Sequence, residues 1–511
     1  MNNTKRTIVN ENLEGKRVFI TGCTGFLGKV LLEKIIRSIS GVASIHLLVR
    51  GNSKYKTGKE RFNAEIATSS VFNRLKSEDL EAFELFCDEK IHVVTGELTE
   101  ENFGLNQAEF SSLSKKIDII VNSAASVNFR EELDKALKIN TLCLENIVAL
   151  SNLGGNIPVV QVSTCFVHGF NKGEIHEEVM APIGKDFPQD DDGNYIVAGV
   201  IEKLQQAISK IKSNNLDEES LKNNLVEFGI EQSNNYGWND TYTFTKWMGE
   251  QLLIEKLKGR SLSILRPAVI ESTVSEPVPG WIEGVKVADA VIFAYARGKI
   301  SYFPSDPNGV IDIVPADLVA NGVILAMTKV FTSPGQLNIY QSCSRGSDQP
   351  VTRELVEYLI EETQENYKKY PKLLKGKKPA DSFHLVSKTI FSSVVKALDV
   401  SLNASQRFKS LFGFDAEKTS FHKNVSTALQ LSTVFSFYGF PNYRFKNDKL
   451  LALANELGEN VNSEFNVDPS DIDWKQYFGK THIAGIEQYA LKESKVYSMK
   501  KSRKDRKRKA A

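Results

Sequence analysis

Short apolar runs alternate with amphipathic stretches along the first two thirds of the chain. Residues 15–20 end in a Val-Phe-Ile run, and a helical pattern of apolar positions follows it. Continuous Val/Ile-rich runs separated by helical patterns are typical of parallel strands that are buried on both faces. The pattern therefore predicts an α/β fold with a doubly wound parallel sheet. The five further strand candidates are residues 45–49, 92–95, 117–122, 159–163 and 262–266.

The pattern also predicts how the domains follow one another. A catalytic domain is predicted over 15–352, with a long polar segment, 170–236, that forms either a lid or an accessory helical layer. After about residue 350 strand signals become rare, which predicts a mainly helical C-terminal domain over 353–498. Residues 1–14 are predicted to be a flexible N-terminus. A stripe at helical spacing in the C-terminal domain predicts core packing or, alternatively, a lipid or acyl-chain contact: Phe383, Val386, Ile390, Phe391, Val394, Val395 and Leu398.

Composition and charge narrow the class of protein. The 511 residues are 41% hydrophobic and 25% charged, as in ordinary globular proteins. Five cysteines without metal-like spacing predict a reducing, cytoplasmic setting. Residues 500–509 carry eight basic side chains and one acidic one, while the whole chain has a net charge of only +1. This basic tail, 499–511, predicts either a disordered, solubilising segment or attachment to an anionic surface such as a membrane or nucleic acid.

A glycine-rich turn follows the first strand candidate. Its sequence, Thr21-Gly22-Cys23-Thr24-Gly25-Phe26-Leu27-Gly28, opens a helix. Glycines at Gly22, Gly25 and Gly28 permit a tight turn and a close approach of pyrophosphate to the N-terminus of that helix. Thr24 adds a hydroxyl to the phosphate contacts. The turn predicts a Rossmann-type nicotinamide dinucleotide site over residues 21–28.

The second strand favours NADPH over NADH. An acidic residue at its end would hold the ribose hydroxyl of NAD, but Arg50 stands there. A guanidinium suits a 2′-phosphate through charge-assisted hydrogen bonds, and the alternative is a solvated arginine at a strand end. Glu97 and Leu98 follow the third strand and are predicted to border the adenine. Small residues follow the fourth strand and either let a cofactor lie across the sheet or allow close packing: Ser123, Ala124 and Ala125.

A tyrosine and a lysine spaced four apart predict the chemistry. Tyr242 and Lys246 share one helix face, so the lysine charge is expected to lower the pKa of the phenol. Ser163 or Thr164, at the end of the fifth strand, supplies a hydroxyl that polarises a substrate carbonyl. The set predicts carbonyl reduction with Tyr242 as the proton donor.

Other reactive side chains give weaker hypotheses. Cys165 would take an acyl group as a thiolate, although buried, inert cysteines are commoner. His168 and His176 are candidate bases without a predicted orienting partner. No cluster of His, Cys, Asp or Glu has metal-ligand spacing, so no metal site is predicted.

The motifs together resemble the extended short-chain dehydrogenase/reductases, and within them the bacterial alcohol-forming fatty acyl-CoA reductases. The resemblance covers most of the chain and rests on residues 20–28, 122–129, 161–164, 240–246, 265–267, 279–283 and 312–317. It implies NADPH-dependent reduction of long-chain acyl-CoA to a fatty alcohol through a fatty aldehyde, in lipid metabolism such as wax ester biosynthesis. It assigns the catalytic hydroxyl to Thr164, with Ser163 second. It also implies that Pro267 borders the nicotinamide and that Asn140 supports Lys246 through water.

Three alternatives remain open at this point. One is a two-electron reductase that releases the aldehyde, and a second is a sugar-nucleotide epimerase, for which Arg50 is the wrong residue. The third is an NADP(H)-sensing scaffold, which would not need Tyr242. No nucleic-acid partner is predicted. Peripheral membrane association, acyl chain length and oligomeric state stay undetermined.

Overall fold

The chain divides into two compact units that are interleaved along the sequence. The computed structural model describes residues 7–344, 349–394, 397–398, 401 and 420–491. The first unit comprises residues 1–270, 312–347 and 443–471, and the second comprises 271–311, 348–442 and 472–511. The sequence predicts consecutive domains that divide at 352/353, whereas each compact unit takes segments from both sides of that position.

A seven-stranded parallel sheet forms the centre of the first unit. Its order is β11-β7-β5-β4-β1-β2-β3. Most of its strand positions are buried, as expected for strands covered on both faces. The strands of this unit are β1 (Arg17–Thr21), β2 (Ser44–Val49), β3 (Ile91–Thr95), β4 (Ile119–Asn122), β5 (Val159–Val162), β6 (Gly173–Ile175), β7 (Leu262–Pro267), β8 (Val269–Glu271, whose last residue belongs to the second unit), β10 (Ile313–Pro315), β11 (Leu337–Ser342) and β13 (Tyr443–Phe445).

The predicted fold class is confirmed, and six of the seven sheet strands match the six predicted runs. The strand that the sequence analysis missed is β11, which pairs with β7 at the edge of the sheet. Polar residues such as Asn338 and Gln341 interrupt its apolar pattern, so it lacks the continuous run that marks the other strands.

Helices cover the sheet in two groups that each pack among themselves. One group includes Phe26–Ser38 and Ala316–Thr332, and the other includes Leu144–Leu153 and Thr241–Lys256. The helices of the first unit are Ile8–Leu13, Phe26–Ser38, Gly58–Arg61, Asn73–Glu78, Leu80–Glu89, Gln107–Ser114, Leu133–Leu137, Leu144–Leu153, Ala198–Ser213, Glu218–Tyr236, Thr241–Lys256, Ala316–Thr332 and Asp448–Glu456.

The prediction of a flexible N-terminus over 1–14 is wrong for part of that segment. Residues Ile8–Leu13 form a helix whose N-cap is Thr7. Val9 and Leu13 are fully buried, so apolar packing holds a helix too short to be stable alone. Residues 1–6 lie outside the described residues.

The polar segment 170–236 contains both helix and strand. Its helices, Ala198–Ser213 and Glu218–Tyr236, pack against each other, and the second also contacts Thr241–Lys256. Its strand β6 pairs in parallel with β13. Helices therefore make up much of the segment, and its role as a lid or as an accessory helical layer stays a prediction.

The second unit is mainly helical among its described residues. It contains the strands β9 (Tyr302–Pro304) and β12 (His384–Val386), which pair in parallel. Because β12 occupies 384–386, the predicted helical stripe does not begin at Phe383. Phe391 is buried against Val425, while Ile390 and Val394 are exposed, and Val395 lies outside the described residues. Besides helical residues at 388–394, the described part of this unit contains the α-helices Val287–Ala296, Thr352–Glu365, Pro371–Leu374, Ser420–Phe435 and Ile483–Gly485, and the last is flanked by the π-helical turns Lys475–His482 and Ile486–Ala490.

Among the described helices, none is both long and apolar enough to cross a membrane. The basic tail 499–511 lies outside the described residues.

Candidate active site

The site lies where the strand order reverses, between β1 and β4. The turn after β1 and the segment after β4 are neighbours because these two strands pair directly. Gly22 has a φ of +78°, and a Cβ added there would lie 2.7 Å from the backbone nitrogen of Ala124. The Ser123 hydroxyl donates to the carbonyl of Thr21 at 2.8 Å. This reversal point is where open α/β sheets bind their ligands.

The helix that follows the glycine turn begins without a side-chain cap. Gly25 is its N-cap and is exposed, and as a glycine it offers no side-chain cap to the first turn. A Cβ on Gly28 would lie 2.3 Å from the carbonyl oxygen of Gly22, so only glycine permits this turn. Thr24, Phe26 and Leu27 are partly buried around it. The fold thus presents a helix N-terminus suited to a phosphate, which fits a dinucleotide.

The sequence analysis includes Thr21 in the dinucleotide-binding turn, but its side chain is directed at other protein groups. Its side chain is buried and its hydroxyl donates to Asn122. The backbone nitrogen of Ala124 donates to the same hydroxyl at 3.3 Å. These bonds make Thr21 a link between β1 and the segment after β4, with its hydroxyl directed at protein groups.

Arg50 lies directly after β2 and forms an ion pair with Glu97. The two atoms, Nη1 of Arg50 and Oε2 of Glu97, are 3.0 Å apart, and the Arg50 side chain is 65% exposed. Leu98, next to Glu97, is buried. The sequence analysis predicts Arg50 at the 2′-phosphate and Glu97 at the adenine of the cofactor. In the structure these two side chains contact each other directly.

Thr164 and Ser163 follow β5 but have different surroundings. Thr164 caps the turn Cys165–His168 and accepts a hydrogen bond from the nitrogen of Phe166 at 3.3 Å. Its hydroxyl also lies 3.4 Å from the carbonyl of Pro267. The hydroxyl of Ser163 is buried without a hydrogen-bond partner among the described residues.

Tyr242 and Lys246 lie on the helix Thr241–Lys256, which begins at the Asp240 cap. The Asp240 carboxylate accepts from the nitrogen of Thr243 at 2.9 Å. Lys246 reaches β5, where its amine donates to the carbonyl of Val162 at 2.7 Å. The Tyr242 ring packs edge-on against Phe129, with ring centres 5.6 Å apart. These contacts place both side chains beside the end of β5.

The hydroxyl of Thr164 lies beside the Tyr242 phenol and interacts with it. This interaction lowers the pKa of the phenol, but the larger effect of burial raises that pKa above its ordinary value. Burial also lowers the pKa of Lys246 to about 8, and the nearby Glu250 carboxylate opposes this change. The expectation that Lys246 lowers the pKa of Tyr242 is wrong for this structure. The reason is that desolvation dominates both groups and the lysine amine is bonded to Val162.

Asn140 connects the segment after β4 to the helix of Tyr242. Its side-chain oxygen accepts from the nitrogen of Ser126 at 2.9 Å, and its amide donates to Thr245 at 3.0 Å. The resemblance implies support of Lys246 through water. In the structure Asn140 instead bonds directly to Thr245, the residue that precedes Lys246 on the same helix.

The alternative reactive groups are poorly placed for catalysis. Cys165 is fully buried, its thiol donates to the carbonyl of Arg266 at 2.9 Å, and burial raises its pKa. His168 is also fully buried, which lowers its pKa to about 3. His176 lies half-exposed beside Glu174. None of these side chains contacts Tyr242 through a hydrogen bond.

The sequence analysis missed a buried ion pair behind the site. Arg266 donates to Glu250 through two nitrogens, at 2.9 and 2.6 Å, and both side chains are essentially unexposed. The pair joins β7 to the helix that carries Lys246. A signal was present, because Glu250 is spaced four residues from Lys246 and faces the same side of the helix.

Comparisons with known proteins identify the family. Two family models match, both described as "Male sterility protein", over residues 20–323 and 408–493. The chain is 32% identical to the Arabidopsis thaliana protein "Fatty acyl-CoA reductase 2, chloroplastic" over 94% of this chain and 79% of that protein. The chain belongs to the fatty acyl-CoA reductase family. Membership makes it a reductase and implies a nicotinamide cofactor and an acyl-CoA substrate.

Two further similarities are informative. The Simmondsia chinensis protein "Alcohol-forming fatty acyl-CoA reductase" is 28% identical over 94% of this chain and 98% of that protein. The reductase domain of a nonribosomal peptide synthetase from Mycobacterium tuberculosis has the same fold, with a TM-score of 0.57 and 17% identity over 94% of this chain and 95% of that one. At that identity the structural likeness concerns the fold alone.

Proposed function

We propose that this reductase uses NADPH to convert long-chain acyl-CoA to fatty alcohol by way of the aldehyde. The observation that carries the proposal is the meeting of Thr164, Tyr242 and Lys246 at the end of β5, beside the reversal point of the sheet. The alcohol-forming relative from Simmondsia chinensis supports the four-electron outcome. The bacterial branch of the resemblance stays a prediction.

The residues around β1 and β4 fit the dinucleotide. Backbone groups at Gly25 through Gly28 would hold the pyrophosphate at the uncapped helix N-terminus. The exposed guanidinium of Arg50 would bind the 2′-phosphate and exchange its bond to Glu97 for a stronger charge-assisted one. When bound, the cofactor supplies the hydride.

The side chains of the chain control the proton and the substrate oxygen. The hydroxyls of Thr164 and Tyr242 would bind the carbonyl oxygen, and Tyr242 would donate its proton to that oxygen as negative charge develops. A phenol is protonated at neutral pH, and its raised pKa here keeps it in the state that can act as an acid. Lys246 holds the end of β5 through the Val162 carbonyl.

The same three side chains would act in both reductions. In the first, the thioester carbonyl gains a hydride and a proton, and the resulting hemithioacetal separates into aldehyde and free CoA. In the second, the aldehyde carbonyl gains a hydride and a proton and becomes the alcohol. The scheme therefore consumes two NADPH for each CoA released.

The deciding experiment measures NADPH oxidised per CoA released with a long-chain acyl-CoA, and identifies the extracted product. A ratio near two with alcohol as the product supports the proposal. A ratio near one with aldehyde as the product would restrict the enzyme to a two-electron reduction. Absence of NADPH oxidation, with oxidation of NADH at the same site, would contradict the cofactor assignment.

Peripheral attachment to membranes through the basic tail is a separate prediction. The eight basic side chains in 500–509 would bind anionic lipid headgroups. Sedimentation with anionic liposomes tests it, with the chain truncated before residue 499 as the comparison. Equal binding by both proteins would remove the tail from this role.

A further inference from the structure

The second unit buries two carboxylates and a histidine in one cluster. Glu271, Asp289 and His482 are each 0% exposed, and one ligand atom from each lies within 4.8 Å of the others. The His482 Nε2 atom is 3.1 Å from Oδ1 of Asp289 and 4.0 Å from Oε2 of Glu271. Both carboxylates therefore lie beside the same ring nitrogen in the buried interior of the unit.

Glu271 is the group that the protein leaves unsatisfied. Neither of its carboxylate oxygens has a hydrogen bond of good geometry among the described residues, and the nearby backbone nitrogen of Ala288 favours the charged form only weakly. A buried, unpaired carboxylate is strongly unfavourable, because it has lost its hydration without gaining donors. Asp289 lies close enough to oppose its ionisation, while the Lys286 ammonium nearby favours it only in part. Something else must bind these oxygens or the carboxyl must hold a proton.

The hydrogen bonds that His482 and Asp289 make on the side away from Glu271 favour the binding of a cation between the three side chains. The His482 Nδ1 atom lies 3.0 Å from the hydroxyl of Ser272, which leaves Nε2 directed at the carboxylates. The second oxygen of Asp289 accepts from the backbone nitrogen of Lys286 at 2.7 Å. In metal sites, histidine and carboxylate ligands are oriented by partners of this kind on their outward atoms.

We propose that Glu271, Asp289 and His482 form a structural binding site for one divalent transition-metal ion, with zinc as the best match. Two carboxylates neutralise the charge of a divalent ion. Glu271, coordinating through both oxygens, would complete four ligand atoms with Asp289 and His482. Bonds of about 2.0–2.2 Å to zinc in a tetrahedron, which a bidentate carboxylate distorts, place ligand atoms of different residues roughly 3.3–3.6 Å apart, between the 3.1 and 4.0 Å separations observed here. The imidazole ligand favours zinc over magnesium, which prefers oxygen ligands and retains water.

The site would join distant parts of the second unit. Glu271 ends β8, Asp289 lies in the first turn of Val287–Ala296, and His482 ends the π-helical turn Lys475–His482. The sequence analysis predicts no metal site because it tests ligand spacing along the chain. Here only the fold brings the three residues together.

The metal content of the untagged full-length protein tests the proposal without any mutation. After gel filtration in metal-free buffer, mass spectrometry of the protein's metals should give about one zinc per chain. Removal of zinc with a strong chelator should lower the melting temperature, and zinc chloride, but not magnesium chloride, should restore it. Metal content below about 0.1 per chain, also after incubation with zinc chloride and dialysis, would overturn the proposal.

Variants separate a metal site from a proton-sharing network. Glu271→Gln preserves shape but removes the charge, so it should lose zinc and show no response of the melting temperature to the chelator. His384→Gln, an exposed histidine of the same unit, is the matched control and should keep the wild-type zinc content. If Glu271→Gln retains full zinc content, the ion binds elsewhere and the proposal is wrong. If the wild type contains no zinc and Glu271→Gln is more stable than it, Glu271 instead carries a proton in the native protein.

Discussion

The dinucleotide side and the carbonyl side of the candidate active site are built differently. On the proposed dinucleotide side, the turn Gly22–Gly28 presents backbone groups at an exposed helix N-terminus, and Arg50 presents an exposed charge. On the carbonyl side, Tyr242 and Lys246 contact the end of β5 in a buried environment. Binding on the proposed dinucleotide side would therefore depend on glycine geometry and surface charge. The chemistry on the proposed carbonyl side would depend on desolvated side chains.

This difference determines what each side can contribute. Backbone amides at a helix N-terminus bind phosphate without needing any titration, so the dinucleotide side should act on affinity. Buried hydroxyls and amines have strongly changed pKa values, so the carbonyl side should act on the chemical step. Substitutions on the two sides should therefore change different kinetic constants.

The largest effect is expected for Tyr242→Phe. Loss of the proton donor should lower kcat by about 10²–10⁴-fold, the range for a positioned general acid. The dissociation constant for NADPH, measured by fluorescence titration, should stay within about twofold because the glycine turn is intact. Tyr236→Phe is the control, since Tyr236 stacks on Phe244 outside the site. Near-normal turnover by Tyr242→Phe would remove the tyrosine from the mechanism.

The reciprocal change is Gly28→Ala. Its Cβ would lie 2.3 Å from the Gly22 carbonyl oxygen, so the turn must shift and the dissociation constant for NADPH should rise about 10–100-fold. At saturating NADPH, kcat should be much less affected. Gly155→Ala is the matched control, because Gly155 has a φ of +80° but open space around it. It should lower stability without weakening NADPH binding, and equal loss of binding by both would contradict the assigned turn.

Lys246→Met should show by how much the buried ammonium of Lys246 lowers the free energy of unfolding. The pKa of Lys246 is about 8 in the folded chain and about 10.5 when exposed, so the unfolded state holds more protons between these values. Wild-type stability should therefore rise as pH increases from about 8 to 10.5. The variant should be more stable than wild type by about 1–2 kcal/mol at pH 7, with the difference shrinking by pH 9.5.

Urea denaturation at pH 7 and at pH 9.5 measures both values for Lys246→Met. The exposed residue Lys172, changed to Met, serves as the control and should show no such pH dependence. A variant that is less stable than wild type at pH 7 would mean that the hydrogen bond to Val162 outweighs the desolvation of the amine.

Arg50→Ala should alter cofactor preference by about tenfold. A charge-assisted bond at an exposed site contributes about 1.4 kcal/mol, which the 2′-phosphate of NADPH would lose and NADH would not. The ratio of kcat/KM for NADPH and NADH, at constant ionic strength, measures this change. Arg74→Ala removes a comparable surface ion pair, with Glu78, and should leave the ratio unchanged. An unchanged ratio in Arg50→Ala would mean that the arginine is only solvated.

The smallest effect is expected for Cys165→Ala. The thiol is buried and bonded to the Arg266 carbonyl, and burial raises its pKa, so we expect no role for it as a thiolate nucleophile. Its removal should leave kcat within about twofold and lower stability by about 1 kcal/mol through the lost packing. A loss of activity larger than the loss for Tyr242→Phe would favour a covalent acyl-enzyme mechanism.

Sequence patterns predicted the interior of the fold better than its edges. The strands with continuous apolar runs, such as β2 and β4, were identified because both of their faces are buried. The edge strand β11 was missed because it carries polar residues, and the helix Ile8–Leu13 was missed because only tertiary packing stabilises so short a segment. The Tyr242–Lys246 spacing and the glycine turn were visible because each motif is local.

The sequence by itself therefore determined the fold class, the glycine turn, the Tyr–Lys pair and the basic character of Arg50. Each of these depends on residues that are close together in the chain, where helix and strand periodicities fix the geometry. The tertiary structure alone decided that Thr164 rather than Ser163 interacts with Tyr242, that Lys246 binds the Val162 carbonyl, and that Arg50 forms an ion pair with Glu97. It also decided that Glu271, Asp289 and His482 share one buried site. The physical reason is that long-range contacts and burial set hydrogen bonds and pKa values, and neither is encoded by local spacing.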